Sequence, residues 1–179
     1  MPIIGDGMHL KRIEVENFKS FGGEMVIPFD EGFTAITGPN GSGKSNSGDA
    51  IQFVLGPKST KALRASNVSE LIFNGGGRGK AAKHMSVTLV FANVPEHDGR
   101  RRLRIDDDEV SFTRSVRLNR KGEPISSFRI GEKPSTATEM RRVLAEAGLR
   151  GDGYNIVLQG DVTNPVSYTH LTLPTSRSV

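Results

Sequence analysis

Residues 36–56 read ITGPNGSGKSNSGDAIQFVLG: a short apolar run, then glycines, a lysine and serines, then an amphipathic run. Gly38 to Ser45 spell G-x-x-x-x-G-K-S, the spacing of a loop that cradles a phosphate chain. Gly38, Gly41 and Gly43 let the backbone take positive φ and come close to an anion, so that successive N–H groups converge on it at the start of a helix. Lys44 is placed to reach the β- and γ-phosphates of a nucleotide, and the Ser45 hydroxyl to ligate Mg²⁺ beside waters and nucleotide oxygens. The candidate cradle for a nucleotide and its Mg²⁺ is therefore Gly38, Pro39, Asn40, Gly41, Ser42, Gly43, Lys44, Ser45 and Asn46. A surface Gly/Ser turn before an ordinary helix is the plain alternative for the pattern taken alone.

The flanking sequence supplies the context such a loop needs. RIEVENF (12–18) alternates apolar and charged residues with period two, and EMVIPF (24–29) and GFTAITG (32–38) follow as two further short strands. The turn residues between them predict antiparallel neighbours. After the loop, Ala50, Ile51, Val54 and Leu55 recur at helical spacing, and Gly56-Pro57 stops the helix. Strand, loop and helix thus come in the required order.

The second half reads as β-rich. SVTLVFAN (86–93) is one strand, and EVSFTRSVRL (109–118) with PISSFRI (124–130) flank the turn NRKGE (119–123) as a hairpin. Thr136 with Glu139 forms a capping-box pattern, Met140, Val143 and Leu144 share a face, and Gly148 stands where a C-terminal glycine belongs. GYNIVLQGDVT (153–163) predicts one more apolar strand. The last residues, SYTHLTLPTSRSV (167–179), alternate Thr with Leu and fit neither pattern; residues 166–179 read as translated adapter sequence or a disordered end and are set aside.

The bulk properties limit the possibilities. At 179 residues the chain suits one compact domain, or part of a larger one. With 35% hydrophobic and 25% charged residues it has a globular composition, and without cysteine it can form neither disulfides nor thiolate metal sites. No apolar run approaches a membrane span, and MPIIGDGMHLKRIEVENF at the start has no secretion-signal pattern. A cytoplasmic protein with no membrane partner is expected, with Met8 a candidate initiator. The net charge of +4 and pI near 9.6 permit a nucleic-acid partner without requiring one.

Four blocks in order, ENFKSF (16–21), GFTAITGPNGSGKSNSGDAIQFVLG (32–56), KALRASNVSELIF (61–73) and DGYNIVLQGDVT (152–163), resemble the N-terminal ATPase lobe of the structural maintenance of chromosomes (SMC) proteins, the archaeal and bacterial members above all. The similarity runs from about His9 to Thr163. It implies an α/β fold, an ABC-type P-loop NTPase lobe with a mixed sheet and an antiparallel β-subdomain, over residues 1–165. It also implies roles. Gln159 resembles the Q-loop glutamine that ligates Mg²⁺ and positions the attacking water, an amide oxygen being a suitable hard ligand. Arg64 resembles the R-loop arginine that reaches the phosphates in the engaged dimer, and Lys19 would lie at the nucleotide's edge near the phosphates. On residue type alone, Gln159 could end a strand, Arg64 could pair on a helix surface and Lys19 could be solvated. Ser47 departs from the large aliphatic residue usual in the family, which touches helix packing rather than phosphate contacts.

ATP hydrolysis in this class also needs a Walker B strand and an LSGG-type signature. RRLRIDDDEV (101–110) is interrupted by arginines and reads as an exposed acidic turn, while FNGGGRGK (73–80) lacks the signature serine and reads as a basic loop. Both motifs belong, in the family, to a C-terminal lobe carried on a coiled coil. The chain is therefore expected to be half of a composite ATPase site, nearly inactive alone. The partners implied are that C-terminal lobe, a second SMC head in a homodimer, a kleisin-type subunit and DNA, with a nucleoid-associated location in the cytoplasm. The basic segments 75–84, 98–105 and 114–122 are candidate DNA-facing surfaces that would meet phosphates rather than bases. The role implied is chromosome condensation and segregation. A RecF- or RecN-like repair ATPase, and a non-catalytic DNA-binding or dimerisation module with a vestigial loop, are the alternatives.

Overall fold

A computed structural model describes residues 8–32, 34–56, 63–77 and 79–149. Its elements in chain order are β1 (Leu10–Phe18), β2 (Phe21–Pro28), α1 (Lys44–Leu55), a 3₁₀ turn (Val68–Leu71), β3 (His84–Ala92), β4 (Glu109–Leu118), β5 (Pro124–Ile130), β6 (Lys133–Ser135) and α2 (Ala137–Glu146).

The six strands form one sheet in the order β2-β1-β3-β4-β5-β6, every pairing antiparallel. Among the described residues, the antiparallel part of the expected mixed sheet thus accounts for all six strands. Alternation decides which face is buried. Ile13 and Val15 of β1, Val87 and Leu89 of β3, and Val110, Phe112 and Val116 of β4 point into the core, while Ser86, Thr88, Thr113 and Ser115 on the opposite face form hydroxyl pairs across β3 and β4. Helix α1 lies on the core face over β1, β3 and β4. It buries Ala50, Phe53, Val54 and Leu55, and the Phe53 ring packs against Phe18 at a centroid distance of 5.5 Å. Burying one such phenylalanine contributes roughly 2–3 kcal/mol by its apolar area alone. Ser47 is buried in the same helix.

The expected hairpin is present with the predicted bounds, β4 and β5 being joined by a turn in which Asn119 accepts from the N–H groups of Lys121 and Glu123. Helix α2 starts as its cap pattern predicts: Thr136 Oγ1 accepts from the Glu139 N–H at 3.1 Å. The Glu139 carboxylate, however, pairs with Arg142 instead of reaching back to Thr136. The helix ends in a Schellman arrangement. Gly148 N–H donates to Ala145 O and Leu149 N–H to Leu144 O, with Gly148 at φ 80°.

One expected strand is not formed. Residues 34–38 make no ladder, and Ile36 is 43% exposed. A strand of that composition is stable only with neighbours on both edges and cover on its faces; no described strand lies beside it. The segment GYNIVLQGDVT and the tail lie outside the described residues. The acidic turn is as expected no strand. Instead, residues 94–108 fold back over the buried Asn93, whose amide meets the carbonyls of Leu103, Ile105 and Asp107 and whose Oδ1 accepts from the Leu103 N–H. Among the described residues no helix is long and apolar enough to cross a membrane.

Candidate nucleotide-binding site

The glycine loop enters α1 directly, with Lys44 as the first helical residue and Gly43 as the N-cap. Gly43 sits at φ 92°, and a Cβ there would come within 2.9 Å of the Phe21 ring. Gly41 sits at φ 83°. Both conformations belong to glycine, so the residue types that made the loop recognisable are also those its geometry requires. The helix start has no side-chain cap and no acidic residue in its first turn. Its leading N–H groups and the positive end of its dipole therefore face the loop unneutralised. Asn46 Nδ2 ties this turn to the β1–β2 connection by donating to Ser20 Oγ at 2.6 Å.

Lys44 folds back over the loop, its ammonium donating to the carbonyls of Gly38 (2.5 Å) and Pro39 (2.7 Å). No carboxylate among the described residues pairs with it. A full positive charge held only by neutral acceptors, beside a helix N-terminus and an exposed Ser45, is what a polyphosphate with its Mg²⁺ requires. The residues present fit both groups.

Lys19 and Arg64, 45 positions apart in sequence, arrive at one point. Asp49 of α1, 4% exposed at its side chain, accepts through a single oxygen from Lys19 Nζ and from Arg64 Nη2, each at 2.5 Å. Lys19 Nζ also donates to Leu63 O at 2.9 Å. Both cations sit on left-handed backbone, Lys19 at φ 52° and Arg64 at φ 56°, a conformation costing non-glycine residues about 1–2 kcal/mol. Surrounding bonds hold it. Lys19 N–H donates to Leu71 O, Phe73 N–H to Asn17 O, and Leu63 and Ala65 on either side of Arg64 are buried. The block RASNVSEL reaches this geometry through its own capping: Asn67 accepts from the N–H groups of Ser69 and Glu70, and Glu70 accepts from the Ser66 N–H. Sequence reasoning missed Asp49. A signal was there, since Asp49 precedes Phe53 by four residues and so carries a charge on the buried face of α1.

Gln159 lies outside the described residues. Of the three candidate DNA-facing segments, one is turned to other uses. In 98–105, Arg101 bonds Asp106, Asp108 and the Asn93 carbonyl, and Arg102 bonds Glu96 at 2.6 Å, so much of that charge is spent within its own loop. Arg114, from the third segment, faces inward: its Nη1 donates to Phe53 O at 2.9 Å, and its guanidinium stacks 4.3 Å from the Phe53 ring centre and 5.5 Å from that of Phe128. Burial pulls its pKa below the ordinary arginine value. The strand alternation, with Val110, Phe112 and Val116 on the same face, already puts it there. Lys80, Lys83, Arg117, Arg120 and Lys121 keep no carboxylate partner among the described residues. They share an end of the sheet, because His84 pairs with Arg117, and Glu16 with Ser86. The β1–β2 turn that meets the glycine loop lies at that same end.

Comparison with known proteins agrees with this architecture. Residues 9–152 match the model of the RecF/RecN/SMC N terminal domain family. The chromosome partition protein Smc of Pyrococcus furiosus is 44% identical over 164 residues, 91% of this chain and 13% of that protein. A structure from work on ATP-driven dimerization and DNA stimulated activation of SMC ATPases is 46% identical with a TM-score of 0.75, covering 86% of this chain and 88% of that one. The Pyrococcus furiosus Smc head domain with an extended coiled coil, bound to the C-terminal domain of ScpA, is 44% identical with a TM-score of 0.78, covering 90% of this chain and 39% of that one. The chain spans about an eighth of the length of the curated relatives it matches, 13–14% in the first two. The fold is that of an ABC-type P-loop lobe, and the chain belongs to the RecF/RecN/SMC N-terminal domain family.

Proposed function

We propose that the chain is the ATP-binding N-terminal lobe, residues 1–165, of an SMC-type head that acts in chromosome condensation and segregation. The observation that carries this reading is Lys44, a cation held only by the Gly38 and Pro39 carbonyls at the mouth of an uncapped helix. Polyphosphate would replace those carbonyls, so that the ammonium exchanges neutral acceptors for anionic ones. Gly41, Ser42, Gly43 and Lys44 would offer backbone N–H groups, Asn40 and Asn46 would border them, and Ser45 with Gln159 would hold Mg²⁺. The metal neutralises phosphate charge and orients the terminal phosphate when bound. Arg64 would stabilise charge growing on the phosphoryl oxygens, and Lys19 would stand at the nucleotide's edge.

ATP would bring two such heads together, since two heads sandwiching two nucleotides complete each other's sites. The relatives' names support this direction: ATP-driven dimerization in one study, and ScpA bound to a head in another. The partners proposed are a C-terminal lobe carrying the Walker B and signature motifs, a second head, a kleisin-type subunit, and DNA held without base readout. The unpaired Lys80, Lys83, Arg117, Arg120 and Lys121 at the loop end of the sheet are the DNA contacts this arrangement favours. Such a protein would work in the cytoplasm on the nucleoid.

The deciding experiment is Mg-ATP binding by calorimetry and turnover by phosphate release, on this chain alone and with a separately expressed C-terminal lobe. Binding by the chain alone, turnover only in the mixture, and loss of both in Lys44→Ala are expected. Full-rate hydrolysis by the chain alone would refute the half-site reading.

A further inference from the structure

We infer that Asp49 is an exchangeable tether for Arg64: in the ligand-free chain its carboxylate holds the guanidinium against α1, and nucleotide polyphosphate takes the guanidinium over. The inference rests on the nucleotide-binding reading and adds to it a positioning residue. One carboxylate oxygen serves two cations, so the cluster keeps a net positive charge. The cations are not held alike. Lys19 is 16% exposed at its side chain and has a second partner in the Leu63 carbonyl, whereas Arg64 is 59% exposed and is bonded to Asp49 through Nη2 alone. If Arg64 leaves, Lys19 stays and the buried carboxylate remains paired, so release avoids the large cost of an isolated buried charge. Departure of Lys19 would in addition break its bond to the Leu63 carbonyl and draw out a cation that is far less exposed, and so would cost more.

Position gives the tether its direction. Asp49 follows Ser45 by four residues and so lies on the same face of α1, about one helical turn further on. Helical side chains lean toward the N-terminus, which points the carboxylate toward the phosphate loop. With Leu63 and Ala65 buried beside it and its backbone fixed at φ 56°, Arg64 has a settled base from which only the side chain needs to swing. The competing account gives Asp49 a structural duty only, neutralising Lys19.

A double-mutant cycle on this chain separates the two, reading Mg-ATP affinity for wild type, Asp49→Asn, Arg64→Gln and the double variant. Removing the Asp49 charge tightens binding somewhat in either background. The tether predicts a gain about fivefold larger with Arg64 present than in the Arg64→Gln background, near the lower end of typical coupling between linked sites. An equal or smaller gain, or a loss, with Arg64 present overturns it. A second measurement needs neither variant nor nucleotide: phenylglyoxal labelling of the ligand-free chain, followed by mass spectrometry. Arg64 should react several-fold more slowly than the unpaired Arg117 and Arg120; equal rates overturn the tether. Failure of nucleotide binding in wild type would refute the functional reading on its own, and the labelling result would still decide whether Asp49 holds Arg64.

Discussion

The two helices begin in opposite ways. At α2, Thr136 accepts the Glu139 N–H and an acidic side chain sits in the first turn, so the helix answers its own orphan donors and its own dipole. At α1, Gly43 offers no side chain and the first turn carries no acid. Their far ends are both closed: α2 with its own backbone through Gly148, and α1 through the Gly56 N–H on Gln52 O together with Arg114, which reaches across from β4 to the Phe53 carbonyl. Three of the four ends are thus satisfied from within the chain. The one left open faces the glycine loop and Lys44, and that is where the chain's chemistry is expected.

The sharpest way to break this contrast is Lys44→Ala. It removes the cation at the open end while touching no packed side chain, so Mg-ATP affinity should fall by about 100-fold or more, with the urea midpoint almost unmoved. A comparable loss of stability would mean that Lys44 is structural. The closed end of α1 should behave in the opposite sense. Arg114→Met leaves the Phe53 carbonyl without its partner and removes the stacking on two rings, and should destabilise the fold by about 2 kcal/mol while nucleotide affinity stays within a factor of two. Calorimetry and denaturant titration on one preparation distinguish the outcomes.

Thr136→Ala tests the self-capped helix. Loss of one N-cap bond costs about 1 kcal/mol, measurable as a lower melting temperature with no change in ATP binding. The smallest effect belongs to Glu109, which accepts from Lys11 and Arg12 on the exposed end of the sheet. Those partners hold its pKa below the ordinary carboxylate value. The stability it contributes is therefore present above that ordinary value and lost as pH falls through the lowered one. Because both sides of the pair are exposed, the effect should be a few tenths of a kcal/mol at most. Comparing urea midpoints of wild type and Glu109→Gln at neutral and strongly acid pH checks it: the difference seen at neutral pH should vanish in acid.

Much of the fold was open to reading because its signals are short in range. The β4–β5 hairpin declares itself by alternation on either side of a turn rich in polar residues and glycine, and the α2 cap by Thr136 and Glu139. The glycine loop is legible for the same reason, its conformations being demanded within a few residues of one another. The third expected strand failed on different grounds. Residues 34–38 have a strand's composition, but pairing depends on neighbours that the segment does not specify, and none lies beside it among the described residues. The arginines were misplaced in part for a similar reason. Segment 114–122 reads as a basic surface when its charges are counted, yet Arg114 has the parity of Phe112 and Val116 and packs beneath α1.

By itself, then, the sequence determined the phosphate-loop spacing, the hairpin, both helices and the residues that could carry nucleotide chemistry, since each is written in backbone preferences and periodicities spanning a turn or two. Only the tertiary structure decided which cations are committed and which are free. Lys19 and Arg64 meet Asp49 across separations of 30 and 15 residues, and Arg114 meets Phe53 across 61. A charge's partner is set by where the folded chain brings it and by how much water is excluded there, and no local pattern encodes either.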